Sequence, residues 1–128
     1  MAEENLPGKD DMAAIDVTAL HALKELGGGD ELVAEIVKTY LAHASSLVRE
    51  FADAESIADA EAMLRIAHTL KSSSANVGAM RLSAMCAEME ASARAGRPCS
   101  EKDVARLQKE YDASAKALRS FLATNGKQ

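Results

Sequence analysis

The stretch Ala67-His68-Thr69-Leu70-Lys71-Ser72-Ser73-Ser74-Ala75-Asn76-Val77-Gly78 holds the residues best suited to chemistry. An imidazole titrates near neutral pH, so one ring nitrogen is available as a neutral nucleophile. Such a nitrogen at His68 can attack an acyl phosphate in line and hold the phosphoryl group as a phosphoramidate. The ammonium of Lys71, one helical turn on, would offset the charge gained. No acid cluster for Mg²⁺ accompanies them in this segment, so the metal and most of the electrostatics of phosphoryl transfer would have to come from a partner. The chain reads as a carrier rather than a kinase.

At about 100° per residue, Met63, Ile66, Leu70, Ser73 and Val77 cluster opposite His68. The apolar side of this helix therefore faces away from the imidazole, which should point to solvent. Leu64, Arg65, Lys71, Ser72 and Ala75 fall on the histidine's own side. Ser72 and Ala75 are small enough to leave the ring uncovered, and an exposed Leu64 offers a partner something to bury. Three consecutive serines are poor for a helix interior, because their hydroxyls compete for backbone groups. Smallness has been preferred there over helix propensity.

Five helical segments position these residues. Residues 1–14, with Pro7 and Gly8, are expected to form a flexible acidic tail. Asp16 can cap a short helix over about 17–26, stopped by Gly27-Gly28-Gly29, since glycine accepts left-handed backbone angles. Asp30 is the expected cap of a long helix over about 31–54, whose apolar residues Val33, Ile36, Val37, Tyr40, Leu47, Val48 and Phe51 recur at three- and four-residue steps. The stripe loses phase at 55–59, and Asp59 can cap a third helix over about 60–77, ended by Gly78. A fourth follows over about 79–95, with Leu82, Met85, Cys86 and Met89 on one side. Gly96 and Pro98 mark a turn, and Ser100 can cap a last helix over about 101–123 seamed by Val104, Leu107, Tyr111, Leu118 and Phe121. Four long amphipathic helices with short connections predict an all-α, antiparallel up-down four-helix bundle over 15–124, with a short additional N-terminal helix at one end and a C-terminal tail at 125–128.

Composition agrees and narrows the function. The 128 residues suit one domain. The abundance of Ala, Leu, Glu, Lys, Arg and Met favours helices, because these side chains lose little freedom there. With no Trp, two Tyr and two Phe, the core must be mainly aliphatic and Met. Fifteen Lys and Arg against twenty Asp and Glu, a net charge of −5, argue against a nucleic-acid partner, which calls for a clustered basic face. No stretch approaches the ~20 apolar residues of a membrane span. The leader MAEENLPGKDDM lacks a basic start and an apolar run, so no secretory signal is visible and a cytoplasmic location is expected. The initial Met and this leader slightly favour a stand-alone protein, with the terminal piece of a hybrid kinase as the open alternative.

The other reactive side chains read more plainly. Cys86 falls in an apolar stripe and Cys99 in a turn, a spacing that serves neither metal nor redox chemistry, so the first is expected to be packing and the second a surface thiol. His21 and His43 lack the surroundings of His68 and are expected to be structural or merely exposed. The six methionines mostly fall at core spacing.

The segment around His68 resembles the phosphorylation motif of histidine-containing phosphotransfer (HPt) domains: a His, then Leu-Lys-Gly-Ser-Ser or Ala, then an apolar residue and Gly. His68, Leu70, Lys71, Ser73, Ser74, Val77 and Gly78 match it position by position, and the helical pattern extends the likeness over roughly 16–123. The resemblance implies that His68 is the phosphorylated residue and Lys71 its charge-balancing neighbour. It makes Ser72 and Ala75 contact positions, beside Leu64 and Arg65, and Gly78 the turn into the next helix. One position departs: Ser72 stands where the family has a glycine that lets the partner approach closely, which bears on the tightness or choice of partner.

The expected function is therefore a phosphocarrier of a two-component phosphorelay, passing a phosphoryl group reversibly between aspartate-phosphorylated receiver domains of response regulators and hybrid histidine kinases. No cofactor of its own is expected, with Mg²⁺ on the partner receiver, and the chain is expected to be a monomer without autonomous kinase activity. A bundle that binds and blocks a receiver or kinase without carrying phosphate is the alternative, but a blocking surface does not need the His68 and Lys71 pair. A metal-binding bundle would require inward Glu-x-x-His sets on several helices, and a kinase would require an ATP-binding domain; the sequence has neither.

Overall fold

The computed structural model describes residues 13–125, which form five α-helices: α1 (Val17–Lys24), α2 (Gly29–Ser56), α3 (Ala60–Asn76), α4 (Met80–Arg94) and α5 (Glu101–Asn125). The long helices α2 to α5 make an antiparallel up-down bundle. Its seams run α2–α3, α3–α4, α4–α5 and α5–α2, and α1 packs on α2. Among the described residues no strand forms, and no helix is long and apolar enough to cross a membrane.

The core is aliphatic with one phenylalanine at its centre. Phe51, Leu20, Leu70, Leu82, Leu107 and Leu118 are almost fully buried, joined by Val37, Val77 and Cys86. Each such side chain contributes about 1.5–3 kcal/mol relative to exposure. Hydroxyl groups supply three of the polar ties across the seams. Tyr40 of α2 and Ser74 of α3 share a buried hydroxyl hydrogen bond of 2.7 Å. Ser83 Oγ of α4 donates to the Lys71 carbonyl of α3 at 2.8 Å, and Tyr111 Oη of α5 donates to the Leu41 carbonyl of α2 at 3.0 Å.

Local chemistry sets the helix ends. The Asp16 carboxylate accepts from Thr18 N–H and begins α1, and that of Asp59 accepts from Ala62 N–H and begins α3. The α2 start differs from expectation. Gly28, not Asp30, is the cap residue and supplies no side-chain bond. Asp30 lies inside the first turn and pairs with Lys24 of α1 at 3.1 Å, a position that still suits a carboxylate near a helix N-terminus. At the α5 start Ser100 also departs from a simple cap, because Asp103 turns back and accepts from the Ser100 N–H at 2.8 Å.

The exits of α2, α3 and α4 share one hydrogen-bond pattern, in which the second residue past the cap reaches back to the last turn. Ala79 N–H donates to Ser74 O, Arg97 N–H to Ser92 O, and Asp59 N–H to Ala54 O. The left-handed residue is Gly78 and Gly96 in two cases, but Ala58, at φ 54°, in the third. Gly78 has a second reason to lack a side chain: a Cβ there would collide with the Asp16 carbonyl oxygen. Its own carbonyl accepts from Asp16 N–H at 2.7 Å, which ties the lead-in to α1 against the α3–α4 turn.

The expected flexible leader lies outside the described residues over 1–12, and Ala14, placed in that leader by sequence, is buried in the core. The C-terminal tail, expected from 125, lies outside them over 126–128, while α5 itself runs to Asn125.

Candidate functional site

The third helix presents His68 midway along its length, on the side that meets α4. Met63, Ile66, Ala67, Leu70 and Ser74 are buried beneath it, while the imidazole is 58% exposed. Its neighbours on that surface divide: Arg65 and Ser72 are exposed, whereas Leu64, Lys71 and Ala75 are half-buried. The expectation of a freely exposed Leu64 is thus corrected. It lines both the depression beside His68 and a smaller apolar cleft formed with Met63, Ala93, Pro98 and Cys99.

The serine run also has a fuller explanation than smallness. Ser74 is a core residue whose hydroxyl is matched by Tyr40, and Ser73 Oγ donates to the Thr69 carbonyl one turn back. Only Ser72 faces outward with the histidine.

The decisive partner comes from α4. Glu90 lies on the buried side of that helix with Leu82, Cys86 and Met89, and its carboxylate is 3% exposed. Oε2 lies 2.7 Å from His68 Nδ1, and Oε1 accepts from Lys71 Nζ at 2.6 Å. Arg94, one turn further along α4, places Nη2 2.9 Å from Oε2. One almost buried carboxylate therefore joins His68, Lys71 and Arg94. The Lys71 ammonium, with help from His68 and the Arg94 guanidinium, holds the Glu90 carboxyl below the usual carboxylate range against the opposing effect of burial.

A carboxylate only accepts hydrogen bonds, so in the neutral imidazole the proton belongs on Nδ1, where it is donated to Glu90. The lone pair is then on Nε2. Fixing the tautomer through the other ring nitrogen is the usual way a protein selects which imidazole nitrogen reacts.

No match is found among curated proteins. The profile of the Hpt domain family matches residues 35–117, which takes in the whole of α3 and α4 and therefore the site. The chain belongs to the Hpt domain family. Two solved structures share its fold. Histidine-containing phosphotransfer protein B of Pseudomonas aeruginosa PAO1 superposes with a TM-score of 0.79 at 23% identity, over 87% of this chain and 96% of that one. The HPT domain of the Hpt sensor hybrid histidine kinase of Shewanella gives 0.71 at 18% identity, over 88% and 97%.

In this Hpt domain, sequence reasoning named His68 and Lys71 as candidates, which the structure brings together on one carboxylate, and it missed Glu90 and Arg94. A signal was present: Glu90 stands four residues after Cys86 and eight after Leu82, in the phase of the α4 apolar stripe, where a charged residue is out of place unless paired. The cysteines stay apart from the site chemistry. Burial pushes the Cys86 thiol up to about 12, and Cys99 is half-buried rather than a surface thiol, with its thiol also raised by burial. His21 is exposed and meets the Phe121 ring edge-on at 5.7 Å; His43 is exposed on α2. Among the described residues no three His, Cys, Asp or Glu side chains gather as metal ligands.

Proposed function

We propose that this histidine phosphotransfer domain of a two-component phosphorelay carries the phosphoryl group on Nε2 of His68. The observation that supports this most is the 2.7 Å contact between His68 Nδ1 and the nearly buried Glu90 carboxylate. It occupies one ring nitrogen and leaves the other as the nucleophile on an exposed face.

The transfer balances without a proton leaving the ring. The Nε2 lone pair attacks the phosphorus of a phospho-aspartyl receiver, the N–P bond forms, and the P–O bond to the aspartyl group breaks with the carboxylate as leaving group. The imidazole is then cationic, with its Nδ1 proton held by Glu90, and the ion pair so formed stabilises the product. Lys71, already joined to Glu90, keeps a positive charge beside the incoming phosphoryl oxygens. Reversal returns the group to a second receiver.

In this reading Mg²⁺ belongs to the receiver, and Leu64, Arg65, Ser72 and Ala75 border the contact. Ser72, exposed beside His68, replaces hydrogen by a hydroxymethyl group at the closest approach and tunes partner choice. The carrier acts as a cytoplasmic monomer, one receiver at a time, because successive partners must cover the same surface.

The test is phosphoryl transfer from a panel of phosphorylated receiver domains with Mg²⁺. An acid-labile label should map to His68 and be absent from a folded His68→Gln protein. Label persisting in that variant would remove the site assignment. Tight receiver binding with no transfer from any of them would favour the blocking role.

A further inference from the structure

The depression beside His68 is walled by Arg65 of α3 and Arg94 of α4, with Glu61 and Leu64. Arg94 shares Glu90 Oε2 with His68 Nδ1, while Lys71 takes the other oxygen. The two cations are held differently. Lys71 is 34% exposed and Arg94 is 62% exposed. An ion pair whose arginine lies mostly in water is weakly held. The backbone on which Arg94 stands is fixed, because the bonds Gly96 N–H to Ala93 O and Arg97 N–H to Ser92 O close the end of α4. The guanidinium can therefore swing about an anchored Cα.

We propose that Arg94, together with Arg65, forms a receptacle for the phosphoryl group once it is on His68. The inference rests on the reading of His68 as the acceptor. Before transfer, one carboxylate faces the Lys71 and Arg94 cations. Transfer places a phosphoryl dianion on Nε2 and makes the imidazole a cation that keeps its proton on Glu90 Oε2. The carboxylate then has a new cationic partner on that oxygen, and the phosphoryl oxygens are the stronger claim on Arg94. A guanidinium fork matches phosphoryl oxygens in a way an ammonium does not. Arg94 thus leaves Oε2 for the phosphoryl group as His68 takes up full charge. It is a positioning residue that favours the phosphorylated state.

The test needs no receiver. Phosphoramidate can label the protein directly: Nε2 attacks phosphorus, the new N–P bond replaces the old one, and ammonia leaves. The ³¹P resonance of the phosphohistidine is then followed against pH through the second ionisation of the phosphoryl group. A nearby guanidinium favours the dianion, so Arg94→Gln should raise the midpoint by about 0.2–0.7 units. Arg94→Lys should restore part of it, and Arg65→Gln should move it the same way by less. The Arg94→Gln shift should persist in a Glu90→Gln background. An unmoved midpoint overturns the receptacle, as does a shift that vanishes in that background, since Arg94 would then act only through Glu90. In those outcomes the phosphohistidine resonance is intact and the acceptor reading stands. Absence of the resonance from the unaltered protein, or its persistence in His68→Gln, overturns both.

Discussion

Among single residues Glu90 carries the most consequence, because it sits 22 positions from His68 in sequence and one hydrogen bond from it in space. Glu90→Gln keeps the shape and can still accept from Nδ1–H, but it loses the charge that balances the imidazolium. Phosphoacceptance should slow by about tenfold, the scale of one charge-assisted hydrogen bond in the barrier, measurable as initial rates of His68 labelling. The same residue gives a signed pH dependence. Its carboxyl is held down mainly by Lys71, then by His68 and Arg94. A carboxylate with a lowered folded pKa stabilises above its unfolded value, about 4.3, and loses that contribution as pH falls through the lowered one. Denaturation of wild type and Glu90→Gln should therefore differ at neutral pH and converge in acid. His68 and Lys71 were legible because both lie on one helix, where spacing fixes their relation. Glu90 was not, since helical periodicity shows that it falls in the buried stripe of α4 but not which residue of α3 it meets.

At the scale of elements, the three helix exits form a natural experiment. Gly78 and Gly96 were readable as stops because glycine tolerates the left-handed turn they occupy, and Asp16 and Asp59 were readable as caps. The exit of α2 was visible only as a loss of hydrophobic phase, because alanine performs the same turn at position 58. The start of α2 was misplaced for a related reason: Asp30 is a good cap by type, yet the backbone bond from Leu32 N–H to Gly28 O begins the helix earlier. A left-handed L-residue costs about 1–2 kcal/mol, and glycine returns part of any relief as unfolded-state entropy. Ala58→Gly should thus stabilise by about 0.5 kcal/mol, read from the denaturant midpoint. Gly78→Ala should do the reverse and more, at least about 2 kcal/mol, because strain adds to collision with the Asp16 carbonyl oxygen.

Over the whole molecule, the polar ties divide the bundle into a seam that carries the candidate site and a scaffold. The α3–α4 seam holds His68, Lys71, Glu90 and Arg94, whereas Tyr40 and Ser74 fasten α2 to α3 inside the core. Burial pushes the Tyr40 hydroxyl well above its usual range, so it stays protonated and able to donate. Removing one partner leaves the other buried without its bond, which costs about 1–3 kcal/mol, while removing both is close to neutral. Tyr40→Phe should accordingly lower unfolding free energy by about 1–2 kcal/mol, and Tyr40→Phe with Ser74→Ala should recover most of that loss. A double variant as unstable as the sum of the singles would mean that packing, not the hydrogen bond, couples α2 to α3. Folded Tyr40→Phe should still accept phosphate at the wild-type rate, because the hydroxyl lies in the core under α3 while the reacting nitrogen is set by α4. A slowed acceptor with intact folding would show instead that the α2–α3 seam helps to aim His68.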